Sequence, residues 1–242
     1  MLPKASIVRR AQSVNFDSNL ECVLFDLDGT LVDTAPDFVY ALNNLLQEQK
    51  RTPINAKAIS SKVSDGAREL IKFGFEIDDK HKHFKDLIKK FLKIYEKKLE
   101  TTESTLYPAI EKLLSTLDSN HIPWGIVTNK PELYAKKLLT KLSLHNSCGV
   151  LVCPDHVQRR KPDPEPIVLA CERLDCCSTR SIYIGDHERD IIAAKEAGAL
   201  SIAAAYGYLG PGTNAEDWGA DFIARKSSMI LKLLESIRLS LN

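Results

Sequence analysis

The sequence predicts an α/β protein with a parallel sheet that is covered by helices on both faces and carries a helical insertion. Short apolar segments without polar alternation recur between amphipathic helical segments, which is typical of βαβ units around a buried parallel sheet. Residues 36–103 break this rhythm, because they have helical periodicity and no convincing strand. This helical insertion is therefore a candidate second domain, placed directly after the first strand.

Length and composition limit the classes of protein to consider. The 242 residues correspond to one or two domains, and 44% hydrophobic with 27% charged residues is typical of a globular protein. With 33 basic and 32 acidic residues, the net charge of +1 provides no global field for nucleic acid or an anionic membrane. No apolar run approaches the roughly 18 residues of a membrane helix, and no apolar segment follows the two arginines near the start. Six cysteines without paired CxxC spacing favour reduced thiols, so we expect a soluble, cytoplasmic protein without nucleic-acid or membrane partners.

The strands of the sheet are predicted from short apolar runs that end at turn residues. The first run ends at the DLDGT segment, three more have the same character, and two are weaker. The predicted strands span residues 21–26, 124–127, 149–152 and 181–184, with the weaker runs at 200–204 and 220–223.

The helices are predicted from apolar residues spaced by three and four positions. In the sheet-forming part they span residues 108–119, 131–142, 164–174 and 188–198, with Pro108 in a first turn. In the helical insertion they span residues 36–50, 54–63, 67–74 and 78–100. The predicted organisation is a flexible polar tail over residues 1–19, a core formed by 20–35 and 104–242, and the helical insertion over 36–103.

Polar side chains follow four of the predicted strands at the point where each strand ends. Asp26 and Asp28 follow the first strand, Thr128 and Asn129 the second, Lys161 the third, and Asp186 and Asp190 the fourth. The carboxyl ends of parallel strands meet at one edge of an open α/β sheet, which is where such sheets bind their ligands. We therefore expect these side chains to converge on one crevice.

The residue types at this crevice suit phosphoryl transfer. Asp26 is the candidate nucleophile, because a carboxylate that forms an aspartyl-phosphate splits one hard displacement into two easier ones. Asp28 is the candidate acid and base, which protonates the leaving alkoxide and then deprotonates the attacking water. Thr128 and Lys161 are expected to hold the phosphoryl oxygens while charge redistributes on them.

The same crevice predicts a magnesium site. Carboxylates that crowd one site repel each other unless a hard cation lies among them, and oxygen ligands of this kind suit Mg²⁺. Asp26, Asp28 and Asp186 are the expected ligands, with Asp190 in a supporting position.

Four motifs in this order resemble those of the haloacid dehalogenase-like hydrolases: DxDGT at Asp26, a threonine at Thr128, KPDP at Lys161 and GDxxxD at Asp186. The resemblance covers roughly residues 20–226. It implies a Rossmann-like core, Mg²⁺ dependence and phosphatase activity, and the helical insertion resembles the C1 cap of that family. Asp28 argues against dehalogenation, because dehalogenases of the family lack an acid–base carboxylate there, whereas its phosphatases and phosphomutases have one.

Longer segments resemble the phosphoglycolate phosphatase-like branch of the family, and most of all its N-acetylmuramic acid 6-phosphate phosphatases of cell-wall recycling. These segments are FDLDGTLVDTAPDF, WGIVTNKP, LVCPDHVQRRKPDPEP, GDHERDI and DWGADFI. The resemblance implies a small phosphate ester as substrate, and both N-acetylmuramic acid 6-phosphate and 2-phosphoglycolate carry a carboxylate beside the phosphate. The resemblance favours N-acetylmuramic acid 6-phosphate as the substrate, with 2-phosphoglycolate as the alternative that the sequence does not separate from it.

Residues 64–68 of the helical insertion form the predicted recognition loop for that carboxylate. Arg68 is expected to pair with it through two guanidinium nitrogens, and Gly66 to let the backbone approach the substrate. Asn129 is a further candidate for substrate binding. Asp65 departs from the family pattern, which usually has a small residue there, and it places an acid near an anionic substrate.

Three other interpretations have weaker support. A phospho-accepting receiver domain uses Asp, Thr, Lys and Mg²⁺, but it needs neither a GDxxxD motif nor a helical insertion. A phosphomutase shares every core motif and differs in retaining the phosphate instead of releasing it. His145, Cys148, Cys153 and His156 have zinc-like spacing, but the predicted strand at 149–152 separates the two pairs.

Overall fold

The structure of the protein, a computed structural model, describes residues 20–240, so the predicted tail over residues 1–19 lies outside the described residues. The main sheet has six parallel strands, and two short strands form a separate antiparallel pair. The strands in the described residues are β1 (Cys22–Phe25), β2 (Val32–Asp33), β3 (Thr105–Leu106), β4 (Trp124–Val127), β5 (Val150–Val152), β6 (Ser181–Gly185), β7 (Leu200–Ala204) and β8 (Phe222–Ala224). The parallel sheet confirms the predicted fold class.

Helices cover both faces of the main sheet. Val23 and Phe25 of β1 pack into one hydrophobic cluster, and Cys22 and Leu24 pack into another on the opposite face. The helices in the described part of the chain are α1 (Ala35–Glu48), α2 (Ala56–Ser60), α3 (Ala67–Phe75), α4 (Phe84–Lys98), α5 (Ile110–Ser119), α6 (Glu132–Lys141), α7 (Glu165–Arg173), α8 (Glu188–Glu196) and α9 (Ile230–Ser240).

Strand β1 lies in the middle of the sheet, whose spatial order is β5-β4-β1-β6-β7-β8. Phe25, the last residue of β1, is opposite Ile126 of β4 on one side and Ile184 of β6 on the other. The chain therefore continues from β1 to one half of the sheet and later crosses to the other half. A crevice opens at such a switch point, beyond the carboxyl end of β1.

The helical insertion is joined to the sheet through β2 and β3. Val32 pairs with Leu106 and Asp33 with Thr105, so the two connections run antiparallel beside each other. The sequence did not predict these strands, because two residues are too few to show a periodic pattern. The paired connections fix the position at which the helical insertion begins and ends.

Stacked aromatic rings hold the first and last helices of the insertion together. Phe38 of α1 and Tyr95 of α4 stack with ring centroids 4.3 Å apart, and Phe91 stacks on Phe38 at 6.2 Å. All three side chains are buried. Their burial follows from the predicted apolar face of α4 and places the hydroxyl of Tyr95 near the carboxyl edge of the sheet.

Several element bounds differ from the predictions, among them those of α4, α2 and α5. Helix α4 begins at Phe84 rather than at residue 78, because the side chain of Asp78 accepts a hydrogen bond from the N–H of Lys80 (3.0 Å) and favours a turn there. Helix α2 ends at Ser60 and continues as turns instead of reaching residue 63. Pro108 precedes α5 and is not in its first turn.

Helix α9 at the end of the described chain was not predicted from the sequence. It packs Ile230 and Leu234 into the hydrophobic cluster that also contains Ala224 of β8. The helix thereby packs on the same face of the sheet as Val23 and Phe25, next to the edge strand β8.

No helix within residues 20–240 combines the length and the apolar character that a membrane crossing needs.

Candidate active site

Asp26 lies one residue beyond β1, at the carboxyl edge of the sheet. Its backbone N–H donates to the carbonyl of Ile184 (2.8 Å), and its Oδ1 accepts from the N–H of Leu27 (2.8 Å). The Nζ of Lys161 lies 3.1 Å from the same carboxylate. Burial raises the pKa of Asp26 to about 6, although the charge of Lys161 opposes this shift. The carboxylate is therefore fixed beside a cation and opens onto a cavity, as a nucleophile requires.

Lys161 is the buried cation of the site, with 2% of its surface exposed. Its Nζ donates to the hydroxyl of Tyr183 (2.7 Å), the carbonyl of Val127 (2.9 Å) and Oδ1 of Asp190 (2.7 Å). Burial by itself lowers the pKa of Lys161, but Asp190 and Asp26 outweigh it, so the net shift is upward. The ammonium group therefore stays charged and stays in place beside Asp26.

Three carboxylates form an acidic cluster next to this lysine. Oxygens of Asp26, Asp186 and Asp190 lie within 4.8 Å of one another, and Asp186 and Asp190 are buried. Burial, reinforced by the charges of Asp26 and Asp190, raises the pKa of Asp186 to about 8. Oxygen donors whose charges repel each other in a buried space fit a hard divalent cation such as Mg²⁺.

Asp186 is positioned by three separate parts of the chain. Its Oδ2 accepts from the hydroxyl of Ser64 in the helical insertion (2.7 Å) and from the N–H of Tyr208 after β7 (2.9 Å). Its Oδ1 accepts from the hydroxyl of Thr30 (3.4 Å). Sequence reasoning missed Ser64 and Tyr208 in this role, since neither is adjacent to Asp186 in the chain.

Glycines make room for the buried carboxylates. A Cβ at Gly29 would lie 2.1 Å from Oδ2 of Asp186, and a Cβ at Gly207 would lie 2.3 Å from the Cβ of Asp186. A Cβ at Gly185 would lie 2.4 Å from the Cβ of Asp190. Any side chain at these positions would displace an acidic residue, so the three glycines are part of the site.

The carboxylate of Asp28 does not join the acidic cluster. Its Oδ1 accepts from the hydroxyl of Thr34 (2.6 Å) and from Nζ of Lys130 (2.8 Å). The backbone after Asp26 closes a turn on the carbonyl of Leu27, which directs the two aspartates to different partners. The predicted role of Asp28 as a metal ligand therefore has no support from its side chain. Asp28 lines the same cavity as Asp26, which fits the predicted acid–base role.

Lys130 connects Asp28 to the helical insertion, and sequence reasoning assigned it no role. Besides Asp28, its Nζ contacts the hydroxyl of Tyr95 (2.7 Å) and lies 4.7 Å from the centre of the Phe38 ring. The side chain is buried. Its position directly after Thr128 and Asn129 at a strand end was the one sequence signal that could have found it.

Thr128 and Asn129 lie where the sequence predicts, at the end of β4. The N–H of Thr128 donates to the carbonyl of Val152 (3.0 Å), which anchors it to the sheet. The amide nitrogen of Asn129 donates to the carbonyl of Lys161 (3.0 Å). The Oδ1 of Asn129 is buried and has no hydrogen-bond partner in the described chain, so an acceptor is available inside the site.

The cavity above these residues has an empty volume of about 680 Å³ with its mouth included. Its polar wall comes from the sheet edge, and its apolar wall comes from Phe38, Val63, Ala67 and Leu92 of the helical insertion. Gly66 lines it with φ +90°, a backbone conformation that favours glycine.

Arg68 lies away from this cavity. Its guanidinium pairs with Asp79 at 3.4 Å and stacks over the ring of Phe84 at 5.0 Å. The arginines that line the cavity are Arg160 and Arg189. The structure therefore gives no support to carboxylate binding by Arg68, whose place at a helix start did not specify the direction of its side chain.

Asp65 lies between the cavity and the loop after β6. Its Oδ1 is 3.4 Å from Nε2 of His187 and 3.6 Å from a terminal nitrogen of Arg189. The hydrogen bond with His187 lowers the pKa of Asp65, although burial opposes the shift. Asp65 therefore joins the helical insertion to the core, and nearby cations balance its charge.

The histidines and cysteines with zinc-like spacing do not come together as a group of potential metal ligands within residues 20–240. Within residues 20–240, the acidic cluster is the one group of three or more potential ligands close enough to share an ion. The ring of His156 instead accepts from the N–H of Cys153 (3.1 Å) and contacts Glu132 (3.0 Å).

Comparison with known proteins places this geometry in a family. A family model described as haloacid dehalogenase-like hydrolase matches residues 23–204. The N-acetylmuramic acid 6-phosphate phosphatase of Pseudomonas putida is 36% identical over 217 residues, which cover 90% of this chain and 97% of that protein. The phosphoglycolate phosphatase of Xanthomonas campestris pv. campestris is 38% identical over 204 residues, which cover 84% of this chain and 91% of that protein.

A solved structure shows that the fold is shared over nearly the whole length. The crystal structure of a predicted phosphoglycolate phosphatase from Haemophilus somnus 129pt has a TM-score of 0.79 at 24% identity, and it covers 89% of this chain and 98% of that chain. The family match over residues 23–204 includes the aspartates after β1, the lysine after β5 and the acids after β6. The chain belongs to the haloacid dehalogenase-like hydrolases.

Proposed function

We propose that the chain is a Mg²⁺-dependent phosphatase that hydrolyses a small carboxylated phosphate monoester, with N-acetylmuramic acid 6-phosphate as the first candidate. Its membership of a hydrolase family and the phosphatase names of its relatives make it a phosphoric monoester hydrolase. One observation carries the mechanism. Asp26 and Asp28 face one cavity, and each is paired with its own buried lysine, Lys161 and Lys130 respectively.

In the first step a carboxylate oxygen of Asp26 attacks the phosphorus of the substrate. The bond from Asp26 to phosphorus forms as the bond to the leaving oxygen breaks, and Asp28 gives its proton to that oxygen. Water then attacks the aspartyl-phosphate while Asp28 takes up a proton from it, which frees Asp26 and inorganic phosphate. Lys161 and Thr128 hold the phosphoryl oxygens through both steps.

Asp26 and Asp186 are the residues that would hold Mg²⁺. Asp190 supports them, because its two oxygens already accept from Lys161 (2.7 Å) and from the N–H of His187 (3.1 Å). When bound, the ion neutralises the negative charge of the transferring phosphoryl group.

The helical insertion is proposed to act as a cap over the cavity. Two of its side chains contact residues of the candidate active site directly: Ser64 donates to Asp186, and Tyr95 contacts Lys130. Its apolar residues form the wall that faces Asp26 and Asp28. A cap in this position excludes water from the aspartyl-phosphate and selects among substrates.

The polarity of the cavity favours N-acetylmuramic acid 6-phosphate. The buried Oδ1 of Asn129 needs a donor, and this sugar phosphate supplies hydroxyl and amide hydrogens. Ionised 2-phosphoglycolate has no such donor on its carbon skeleton. The Pseudomonas putida relative is named for this sugar phosphate, and the alignment with this chain covers 97% of that protein.

2-Phosphoglycolate is the second candidate. The Xanthomonas relative that is named for this activity is 38% identical to the chain. Both candidate substrates combine one phosphate with one carboxylate, so the catalytic residues proposed above serve either.

The proposed reaction takes place in the cytoplasm on a small molecule, without a nucleic-acid or membrane partner. All six cysteines are free thiols, which suits a reducing compartment. The net charge of +1 gives no long-range attraction for polyanions.

The test is phosphate release from the two substrates in parallel, with and without Mg²⁺. We expect a preference for N-acetylmuramic acid 6-phosphate above about a hundredfold in kcat/KM, which is about 2.7 kcal/mol of transition-state discrimination. Asp26→Asn is expected to release phosphate at least about 10³ times more slowly, and the exposed Asp79→Asn at the wild-type rate.

Each alternative outcome has a separate meaning. Turnover of an aryl phosphate but of neither candidate would keep the chemistry and reject the substrate class. Equal phosphate release by the wild type and Asp26→Asn would reject the mechanism itself.

A further inference from the structure

A cavity that selects a carboxylated phosphate ester needs a cation that other acids have not already neutralised. Both lysines of the site are committed to the protein's own carboxylates. Lys161 contacts Asp26 and Asp190, and Lys130 contacts Asp28. Neither ammonium group is therefore available for a carboxylate at the far end of the substrate.

The arginines near the cavity differ in whether another side chain of the protein already contacts them. Arg189 contacts Asp65 at 3.6 Å and the ring of His187 at 2.7 Å, and Arg68 is paired with Asp79 outside the cavity. Arg160 lines the cavity, is exposed, and makes no side-chain hydrogen bond or ion pair with any residue from 20 to 240. Of the two arginines that line the cavity, it is the one whose side chain has no such partner in that range.

The backbone around Arg160 is anchored even though its side chain has no partner among the described residues. Its carbonyl accepts from the N–H of Asp163 (3.0 Å), and the carbonyl of the next residue, Lys161, accepts from Asn129 (3.0 Å). Arg160 and Lys161 thus present two cations from consecutive positions. Lys161 points inward to the nucleophile Asp26, and Arg160 lies at the exposed part of the same cavity.

We propose that Arg160 binds the carboxylate of the substrate and thereby determines specificity for carboxylated phosphate esters. The planar guanidinium fork matches a carboxylate through two parallel N–H···O bonds. With the phosphoryl group held at Asp26 and Lys161, the carboxylate then lies toward the mouth of the cavity. This inference rests on the proposed function, because it assumes a substrate with both groups.

Arg159 provides a matched control for this proposal. It is the preceding residue and has the same charge, but it is paired with Asp163 at 3.1 Å, is 75% exposed and does not line the cavity. Arg159→Gln and Arg160→Gln therefore remove the same charge from adjacent positions. Arg160→Lys keeps the charge and removes the fork.

The experiment measures kcat/KM for N-acetylmuramic acid 6-phosphate and for N-acetylglucosamine 6-phosphate, which lacks the lactyl carboxylate. We expect Arg160→Gln to lose about 10- to 100-fold on the first substrate and less than about threefold on the second. Arg160→Lys should fall between the wild type and Arg160→Gln, and Arg159→Gln should match the wild type on both substrates. The same comparison of 2-phosphoglycolate with ethyl phosphate covers the second candidate.

Two results would overturn the proposal while leaving the proposed function intact. One is a wild-type preference for the carboxylated ester that Arg160→Gln retains. The other is an equal loss on both esters, which would assign Arg160 to the phosphate. If the wild type itself shows no preference for either carboxylated ester, both the proposed substrate class and the role of Arg160 are wrong.

Discussion

At the scale of single residues, two aspartates separated by one leucine have different partners, which fits the different roles proposed for them. Asp26 contacts Lys161 and belongs to the acidic cluster, whereas Asp28 contacts Lys130 and Thr34 outside it. A nucleophile must lie where negative charge on the phosphoryl group is neutralised. A residue that acts as acid and base must instead reach the leaving oxygen and the attacking water. The position of Asp28 outside the acidic cluster is consistent with that role.

Because Asp28 lies outside the acidic cluster, we expect Mg²⁺ binding to depend on Asp186 and not on the side chain of Asp28. At about 100 times its Kd, Mg²⁺ adds about 2.7 kcal/mol to the free energy of unfolding of the wild type. For a chain of this size, that corresponds to a rise in Tm of about 5–10 °C. We expect Asp186→Asn to abolish the rise, because it removes a carboxylate of the acidic cluster. The measurement is thermal unfolding with and without Mg²⁺.

Asp28→Asn is the paired variant in that experiment. It is expected to keep the Mg²⁺-dependent rise in Tm and to lose phosphate release. A loss of the rise in Asp28→Asn, with its retention in Asp186→Asn, would show that the acidic cluster is not the metal site.

At the scale of elements, the loop after β7 is built around Asp186. Tyr208 donates its N–H to that carboxylate, and Gly207 packs so closely that a Cβ would lie 2.3 Å from the Cβ of Asp186 and 2.5 Å from the carbonyl of Gly29. The backbone carbonyl cannot move aside as the end of a side chain can. The close packing of this loop against Asp186 therefore helps to fix the position of that carboxylate.

Gly207→Ala is therefore expected to lower the free energy of unfolding by about 1–3 kcal/mol, as overpacking does elsewhere. It should also raise the Mg²⁺ concentration that gives half-maximal activity, because Asp186 is displaced. Gly210→Ala is the matched control, since its Cβ would meet nothing closer than 3.6 Å. Urea unfolding and Mg²⁺ titration of both variants make the comparison, and equal effects of the two would contradict this account of the loop.

At the scale of the whole molecule, the cavity exists only where the helical insertion meets the core. Asp65 contacts His187 and Arg189, Ser64 donates to Asp186, and Tyr95 contacts Lys130 across this boundary. The contacts of Asp65 are partly exposed, so they contribute little to global stability. We expect them instead to affect the position of the helical insertion over the substrate.

Asp65→Asn is expected to raise KM about two- to fivefold, with a change in the free energy of unfolding of less than about 1 kcal/mol. The reason is that Arg189 loses the acid that holds it and the insertion loses a contact with the core. Steady-state kinetics and urea unfolding measure the two quantities. Asp79→Asn makes the same change at an exposed position away from the cavity and is expected to alter neither. A lower KM in Asp65→Asn would mean that Asp65 acts by repelling the anionic substrate.

The sequence predicted the fold at the level of its elements because their signals are local. Strands β4 and β7 have the predicted bounds, and the six parallel strands and the helices between them were all expected. The antiparallel pair of β2 and β3 was missed, since each strand has two residues and is defined by the other. The start of α4 was misplaced because the hydrogen bond from Lys80 to Asp78 competes with a helix, which periodicity does not register.

For the site, the sequence determined which groups meet, because residues that follow parallel strands share one edge of the sheet. Asp26, Lys161 and Asp186 follow three such strands, and their identity and order in the chain are enough to indicate phosphoryl transfer. Only the tertiary structure decided which charged side chain each of these groups contacts. Lys130 reaches Asp28 because Tyr95 and Phe38 come from the helical insertion to surround it. Arg68 turns to Asp79, so Arg160 is the arginine lining the cavity whose side chain has no hydrogen bond or ion pair within residues 20–240. The direction of a side chain depends on neighbours that are distant in the chain, so it follows from packing and not from position in the sequence.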